Sequence, residues 1–233
     1  MCFSASASFT AGVGLLGVGT LTLRAALASN DPHRRRDLPF AAMPLLFAVQ
    51  QLIEGVVWLT FSNGATQLNA VLTHVYSFFS HVLWPIYVPV AVVLMEPEGW
   101  RRRAMISFVA AGATVAAYLL YVLFAFPVVS RPIGQHIEYV SPHYFAAVTM
   151  TLYLLSSVVS PLLSTHRMVF VFGVLALLSF GAAYVFYATW FISVWCFFAA
   201  LLSAVIYLHF APRGHDRFTS ERARTQPATR SST

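Results

Sequence analysis

A series of long apolar stretches, separated by short polar segments, constrains this chain more than any other feature of its sequence. Seven of them reach the length of about 20 residues at which a helix rising about 1.5 Å per residue crosses about 30 Å of hydrocarbon. They are residues 5–28, 39–61, 71–95, 104–126, 143–163, 168–187 and 190–210. Helices are required because lipid cannot satisfy an open backbone. The sequence therefore predicts an all-α polytopic membrane protein, a bundle of seven transmembrane helices.

Composition excludes other classes of protein. Of the 233 residues, 58% are hydrophobic and 9% are charged, whereas soluble domains average about 25% charged residues. The 14 basic residues are all Arg, so a retinal photoreceptor, which needs a lysine amine for its Schiff base, is excluded. We find no phosphate-binding or nucleic-acid motif. The expected partners are membrane lipids and no nucleic acid, and a homo-oligomer stays compatible with the sequence.

The arginines predict an orientation in the cell membrane. Residues 34–36, 101–103 and 167 fall in alternate connections and further arginines follow in the tail, whereas the opposite side carries only Arg131. Because positive loops stay in the cytoplasm, we expect an outside amino terminus and a cytoplasmic carboxyl terminus.

The turn between the sixth and seventh spans is expected near residues 188–189, and residues 212–233 are expected to form a disordered basic tail. Residues 127–142 form the longest connection between spans.

Several stretches resemble an uncharacterised family of small bacterial multi-pass membrane proteins. The opening Met1-Cys2-Phe3-Ser4-Ala5 is the most specific of them, and residues 50–55, 84–89 and 191–198 are similar to that family too. This resemblance implies a multi-pass architecture and no particular activity.

One acidic residue, Glu54, lies inside a predicted span, about 10 Å below the outer end of the second helix. An ionisable group at such depth is costly and marks a candidate functional site. Gln50 lies one turn away on the same face. A structural role for Glu54, hydrogen-bonded to Gln51 or to a neighbouring helix, is the alternative.

The third span carries a polar face that includes Ser77 and His81. His81 lies about 15 Å deep, near the level of Glu54, and Pro85 and Pro89 follow and should open backbone bonds there. A histidine beside a carboxylate could relay protons or bind a cation. The sequence therefore favours a transport or small-ligand or ion-binding protein whose polar pocket, around Glu54 and His81, opens outward. A neutral His81 bonded within its own helix is the alternative.

A metal site is a second hypothesis, and it would make the protein a membrane-embedded hydrolase. Ser77-x-x-x-His81 resembles part of the pattern in the seven-helix metal-dependent hydrolases that include alkaline ceramidases and adiponectin-type receptors, although the last span offers only His209. Imidazole and carboxylate groups suit zinc or another metal, although their spacing here matches no established motif. The candidate ligands are His74, His81, His136, His143 and Glu54.

Overall fold

The computed structural model describes residues 4–29, 32–97, 99–142, 145–186, 198, 200 and 202–211. Within these residues the regular secondary structure is helical apart from one β-hairpin, and short irregular segments connect the elements. The helices are α1 (Ala5–Ala28), α2 (Arg34–Asn63), α3 (Thr66–Met95), α4 (Trp100–Ala125), α5 (Ala146–Leu162) and α6 (Arg167–Phe186), and residues 203–211 are helical too.

Five helices of the described chain are long and apolar enough to cross a membrane: α1 to α4, and α6 over Arg167–Val185. Helix α5 is apolar but shorter. Helix α1 has the predicted bounds, and α2 begins before residue 39 and so takes in Asp37, which is buried. The turn expected near residues 188–189 and the tail from residue 212 lie outside the described residues, as does much of the seventh stretch.

Local sequence explains where two helices begin and end. Ser4 caps α1, because its hydroxyl accepts a hydrogen bond from the Ala7 amide at 3.2 Å. Helix α2 ends at Gly64, whose φ of 64° is the left-handed conformation common at helix carboxyl ends. Helix α3 begins two residues later, so α2 and α3 form an antiparallel pair.

Glycines bring α1 against α2. A Cβ atom added to Gly12 would lie 2.8 Å from Leu52, and one added to Gly19 would lie 2.5 Å from Leu45. Both glycines are buried, on a face of α1 that also includes Ser8. Small residues permit such close helix packing in membranes, where dispersion contacts replace the hydrophobic effect.

Two helices of the described chain contain π-helical segments. In α3 the segment is Phe78–Leu83, directly before Trp84 and Pro85, and in α5 it is Leu155–Val159. A π segment inserts an extra residue into a turn and often marks a functional site.

The connection 127–142, expected from the sequence as a loop, contains an antiparallel β-hairpin. Its strands are β1 (Val129–Ile133) and β2 (His136–Val140), paired with Ser130 opposite Tyr139. The turn between them includes Gly134, whose φ is 60°, a conformation that glycine adopts readily. The sequence analysis missed the hairpin because its alternation is short and interrupted by Pro132.

The two ends of the bundle differ in character. Helices α2, α4 and α6 begin at what we call the arginine end, which includes Arg34, Arg101 and Arg167. A hydrogen bond joins α4 to the end of α5 here: Arg101 Nη1 donates to the carbonyl of Leu163, the residue after α5, at 3.1 Å. At the opposite end, the hairpin end, the hairpin packs on the α2–α3 pair.

Candidate functional site

Helix α2 carries three polar side chains that are almost completely buried. Gln50 and Glu54 are 0% exposed and Gln51 is 1% exposed. Ser77, on the neighbouring helix α3, is equally buried. Glu54 therefore lies inside the bundle and does not face lipid. Buried polar groups cost free energy unless they are hydrogen-bonded, so this concentration in two adjacent helices requires an explanation.

A hydrogen bond between Gln50 and Trp84 relates the two helices in depth. The Trp84 Nε1–H donates to Gln50 Oε1 at 2.8 Å, and the Trp84 ring stacks on Phe47 with centroids 3.9 Å apart. Because α2 and α3 are antiparallel, the residue four positions after Gln50 lies level with the residue about four positions before Trp84, a rise of about 6 Å along both helices. Glu54 therefore lies at about the level of Ser80 and His81.

The π segment of α3 releases a backbone carbonyl at this level. The Trp84 amide, which would bond to the Ser80 carbonyl in an α-helix, donates instead to the Phe79 carbonyl. Pro85 has no N–H, so it cannot serve as the donor one residue further on. The Tyr153 hydroxyl of α5 donates to the Ser80 carbonyl at 2.6 Å. A buried side chain thus supplies the bond that the backbone of α3 has lost.

His81 is held by its own helix on one side of the ring. Its Nδ1 lies 3.1 Å from the Ser77 carbonyl oxygen and 2.8 Å from the Ser80 hydroxyl, which itself donates to the Ser77 carbonyl at 3.2 Å. The Ser80 hydroxyl can pair with either tautomer, whereas the Ser77 carbonyl only accepts and so favours the tautomer with the proton on Nδ1 and with Nε2 as an acceptor. In this tautomer Nε2 can accept a proton or a hydrogen bond, or bind a cation.

Four residues were predicted for the binding site: Gln50, Glu54, Ser77 and His81. Among them, Ser77 contacts the His81 ring through its backbone carbonyl rather than its hydroxyl. The structure joins Gln50 to Trp84, a partner that the sequence analysis missed. We call the buried residues Gln50, Gln51, Glu54 and Ser77, together with His81, which is only partly buried, the buried polar site.

Several atoms of this site have no hydrogen-bond partner among the residues that the structure describes. They are Gln50 Nε2, both amide atoms of Gln51, and Ser77 Oγ. More than about 90% of buried polar groups in proteins are hydrogen-bonded. These unpartnered groups lie on two neighbouring helices, α2 and α3, where a small bound molecule or ion would supply the missing hydrogen bonds or ligand contacts.

The candidate metal ligands are not assembled by the described part of the chain. His74 bonds through Nδ1 to the Ala70 carbonyl of its own helix at 2.8 Å. His136 begins β2, and burial lowers the pKa of its imidazole. His143 lies outside the described residues. Within the residues described, no three His, Cys, Asp or Glu side chains form a group that could hold a metal ion.

The hairpin covers the end of the α2–α3 pair at which the pocket was expected to open. The Tyr139 ring stacks on the Tyr76 ring of α3, with centroids 4.4 Å apart and planes 8° from parallel. Ile137 is 0% exposed and packs in the same cluster, which includes Val57 of α2. The cluster lies above the buried polar site because Val57 follows Glu54 by three residues, and Tyr76 immediately precedes Ser77.

Side-chain hydrogen bonds join the hairpin to α3, and through Asn69 of α3 to α2. The Ser130 hydroxyl lies 2.7 Å from the Thr73 hydroxyl and donates to Asn69 Oδ1 at 3.1 Å. Asn69 Nδ2 in turn donates to the Thr60 hydroxyl of α2 at 2.8 Å. We call Thr60, Asn69, Thr73 and Ser130 the polar latch. Three of its members line a cavity of about 440 Å³ between the hairpin and the α2–α3 turn: Thr60, Asn69 and Ser130.

A polar cluster at the arginine end was missed by the sequence analysis. Glu96, directly after α3, is 2% exposed, and its carboxylate accepts hydrogen bonds from the Ser164 hydroxyl at 3.1 Å and from the Thr165 amide at 3.1 and 3.2 Å. The negative charge thus lies at the amino end of α6, where Arg167 begins the helix, and Arg101 lies at the carboxyl end of α5. Both charges complement the helix dipoles. An acid directly after an apolar span was the only available signal.

Comparison with known proteins gives a family and no activity. No similar curated protein and no similar solved structure was found. Residues 1–222 match the family described as "Family of unknown function (DUF6629)". Because the match covers nearly the whole chain, the protein belongs to the DUF6629 family.

Proposed function

We propose that this protein is a multi-pass membrane protein that binds, and by alternating access transports, a small ligand or ion at the buried polar site. The observation that carries this proposal is the burial of Glu54 at the level of His81, among amide and hydroxyl groups without described partners. An ionisable residue at membrane depth marks a functional site by default. A structural contact alone would not need so many polar groups.

The chemistry of the site favours a proton or a small cation. Its groups include the Glu54 carboxylate, the Gln51 amide oxygen, the Ser77 hydroxyl and the His81 Nε2. These are acceptors, and oxygen-rich acceptor sets bind hard cations, while a carboxylate near an imidazole can exchange protons. The interrupted backbone of α3 at Ser80 supports the same proposal, since opened helix backbone lines ion sites in many transporters. The Ser80 carbonyl oxygen has a second lone pair besides the one that accepts from Tyr153.

A metal-dependent hydrolase using Glu54 and His81 is the alternative. It would need about three converging protein ligands for the metal. The two residues supply two at most, and the described chain adds no third to form such a group. We therefore favour binding and transport.

We further propose seven spans, with the arginine end in the cytoplasm and the hairpin end outside. The apolar helices α1 to α6 and the helical residues 203–211 supply the segments. Arg34, Arg101 and Arg167 at the beginnings of alternate helices support the orientation through the positive-inside rule. On this arrangement the buried polar site lies in the outer half of the bundle.

The thermal stability of the purified chain in lipid nanodiscs tests the ion-binding proposal. We would measure Tm while Na⁺ replaces choline at constant ionic strength, and separately between about pH 5 and 8. An ion present at about 100 times its Kd adds about 2.7 kcal/mol of stability, so Tm should rise by several degrees. The proposal is wrong if Tm responds to neither variable.

The variant Glu54→Gln links that response to the site. It keeps the shape of the side chain and removes its charge, so the chain should fold while its Tm no longer responds to the ion. The matched control is Glu138→Gln in the hairpin, which should respond as the unmodified chain does. Glu54→Leu should also lower the basal Tm, because it removes both acceptors from a polar environment. A full response in Glu54→Gln would contradict the proposal.

A further inference from the structure

The hairpin depends on the helices for its order. It consists of β1 and β2 alone within the described chain, and an isolated two-stranded hairpin is marginally stable in water. Along β2 the side chains alternate: Ile137 and Tyr139 are buried against the helices, while Glu138 is not. The contacts of this inner face, including Ser130 on β1, therefore hold the hairpin in place.

The inner face of the hairpin lies directly over the buried polar site. Ile137 and Tyr139 form one cluster with Val57 and Tyr76. Val57 lies three residues beyond Glu54, a rise of about 4.5 Å along α2. Tyr76 is the residue before Ser77. A molecule that approaches the site from the hairpin end meets this cluster first.

The hydrogen bonds of the polar latch are of a kind that can be released. The polar latch consists of hydrogen bonds between uncharged groups, and three of its members line the cavity of about 440 Å³ next to the α2–α3 turn. Water that enters this cavity can replace each bond with one of similar strength. The segments 126–128 and 141–142 that flank the strands are neither helical nor extended strand pairs, so the hairpin can move without breaking α4.

We propose that the hairpin is a lid that controls access to the buried polar site from its own end of the bundle. In the closed form, which is the form of this structure, Tyr139 and Ile137 block the path between α2 and α3. In the open form the latch is broken and the hairpin swings away from Tyr76. This inference rests on the proposed function for the purpose of the lid, and its test does not require a ligand.

Chemical access to position 77 tests the lid. In a chain with Cys2→Ala and Cys196→Ala, Ser77→Cys places a single thiol in the buried polar site. Its rate of modification by a small cationic methanethiosulfonate reagent, measured in nanodiscs, reports access. The double variant Ile137→Ala/Tyr139→Ala removes the apolar contacts between the hairpin and the helices. The rate of thiol modification should therefore rise by about tenfold or more, because local opening becomes easier. Val140→Ala, on the same strand and 39% exposed, is the matched control and should leave the rate unchanged.

Equal rates in the double variant and in the control would overturn the lid. Where the Ser77→Cys chain does not fold, amide hydrogen exchange of residues 73–83 in the otherwise unmodified chain gives the same answer. Exchange there should accelerate in Ile137→Ala/Tyr139→Ala and not in Val140→Ala, and no difference would again overturn the lid. Because both measurements read access rather than binding, an unresponsive Tm together with changed access would reject the proposed function and retain the lid.

Discussion

Tyr153 of α5 donates a 2.6 Å hydrogen bond to the carbonyl oxygen of Ser80 in α3. The two residues are 73 positions apart in the chain, and each lies at a π-helical segment: Ser80 within Phe78–Leu83, and Tyr153 two residues before Leu155–Val159. The irregular part of α3 is therefore stabilised by a side chain from another helix. A π segment that depends on one external donor can revert or shift when that donor is removed.

Removing this hydroxyl should destabilise the protein without creating a cavity. We expect Tyr153→Phe to lower the free energy of unfolding by about 1–3 kcal/mol, because it leaves the buried Ser80 carbonyl unsatisfied. Unfolding in mixed micelles with increasing denaturing detergent measures the change. Tyr121→Phe removes a hydroxyl from a side chain that is 64% exposed and should stay within about 0.5 kcal/mol of the unmodified chain. Equal stability of the two variants would contradict the role of Tyr153.

At Gly112, α4 packs tightly against the backbone of Pro85 in α3, two residues after the π segment. A Cβ atom there would clash with the Pro85 carbonyl oxygen, which has no α-helical donor because Pro89 lacks an N–H. The glycine permits this oxygen to contact α4. Gly112→Ala should therefore force the helices apart and cost about 1–3 kcal/mol or more.

The control for Gly112→Ala is Gly14→Ala in α1. A Cβ atom at Gly14 meets nothing within 4 Å, so the substitution should be neutral or should stabilise the helix by up to about 1 kcal/mol. Thermal unfolding of both variants in the same lipid nanodiscs gives the comparison. A neutral Gly112→Ala would mean that α3 and α4 are not in this contact.

Glu96 should stabilise the turn between α5 and α6. Glu96→Ala removes the acceptor of the Ser164 hydroxyl and of the Thr165 amide. A hydrogen bond to a charged group contributes about 1.5–3 kcal/mol to the free energy of unfolding. We expect a loss of that size in the free energy of unfolding. Glu138→Ala, in the hairpin, removes a partly exposed carboxylate and should cost about 0.5 kcal/mol or less. If Glu96→Ala loses no more stability than Glu138→Ala, the Glu96 carboxylate does not stabilise the turn.

The proposed orientation is tested by reporters at the two ends. A reporter fused after Arg217 should behave as cytoplasmic, because it follows an odd number of spans from an outside amino terminus. A reporter inserted at Gly134, in the exposed turn of the hairpin, should behave as external. The opposite result at either position would contradict seven spans in this orientation.

Residue types and their order predicted the apolar helices of the described chain, although α2 begins at Arg34 rather than at residue 39 and α5 is shorter than the stretch 143–163. Every α-helix satisfies its own backbone bonds, so an apolar run of spanning length predicts a helix without knowledge of its neighbours. For this reason the stretch 5–28 coincides with α1. The depth of Glu54 and His81 follows from counting along such helices, and the Gln50–Trp84 bond places them at a common level.

Contacts between segments that are distant in the chain decided the rest. The hairpin is ordered by Tyr76 and Val57, more than 50 residues before it, so its own short alternation could not reveal it. Glu96 became a buried acceptor because the α5–α6 turn, about 68 residues later, reaches it. The partner of the Ser80 carbonyl is likewise on another helix. Each of these groups finds its hydrogen-bond or packing partner only when the helices are assembled, because no local rule says which helix will supply it.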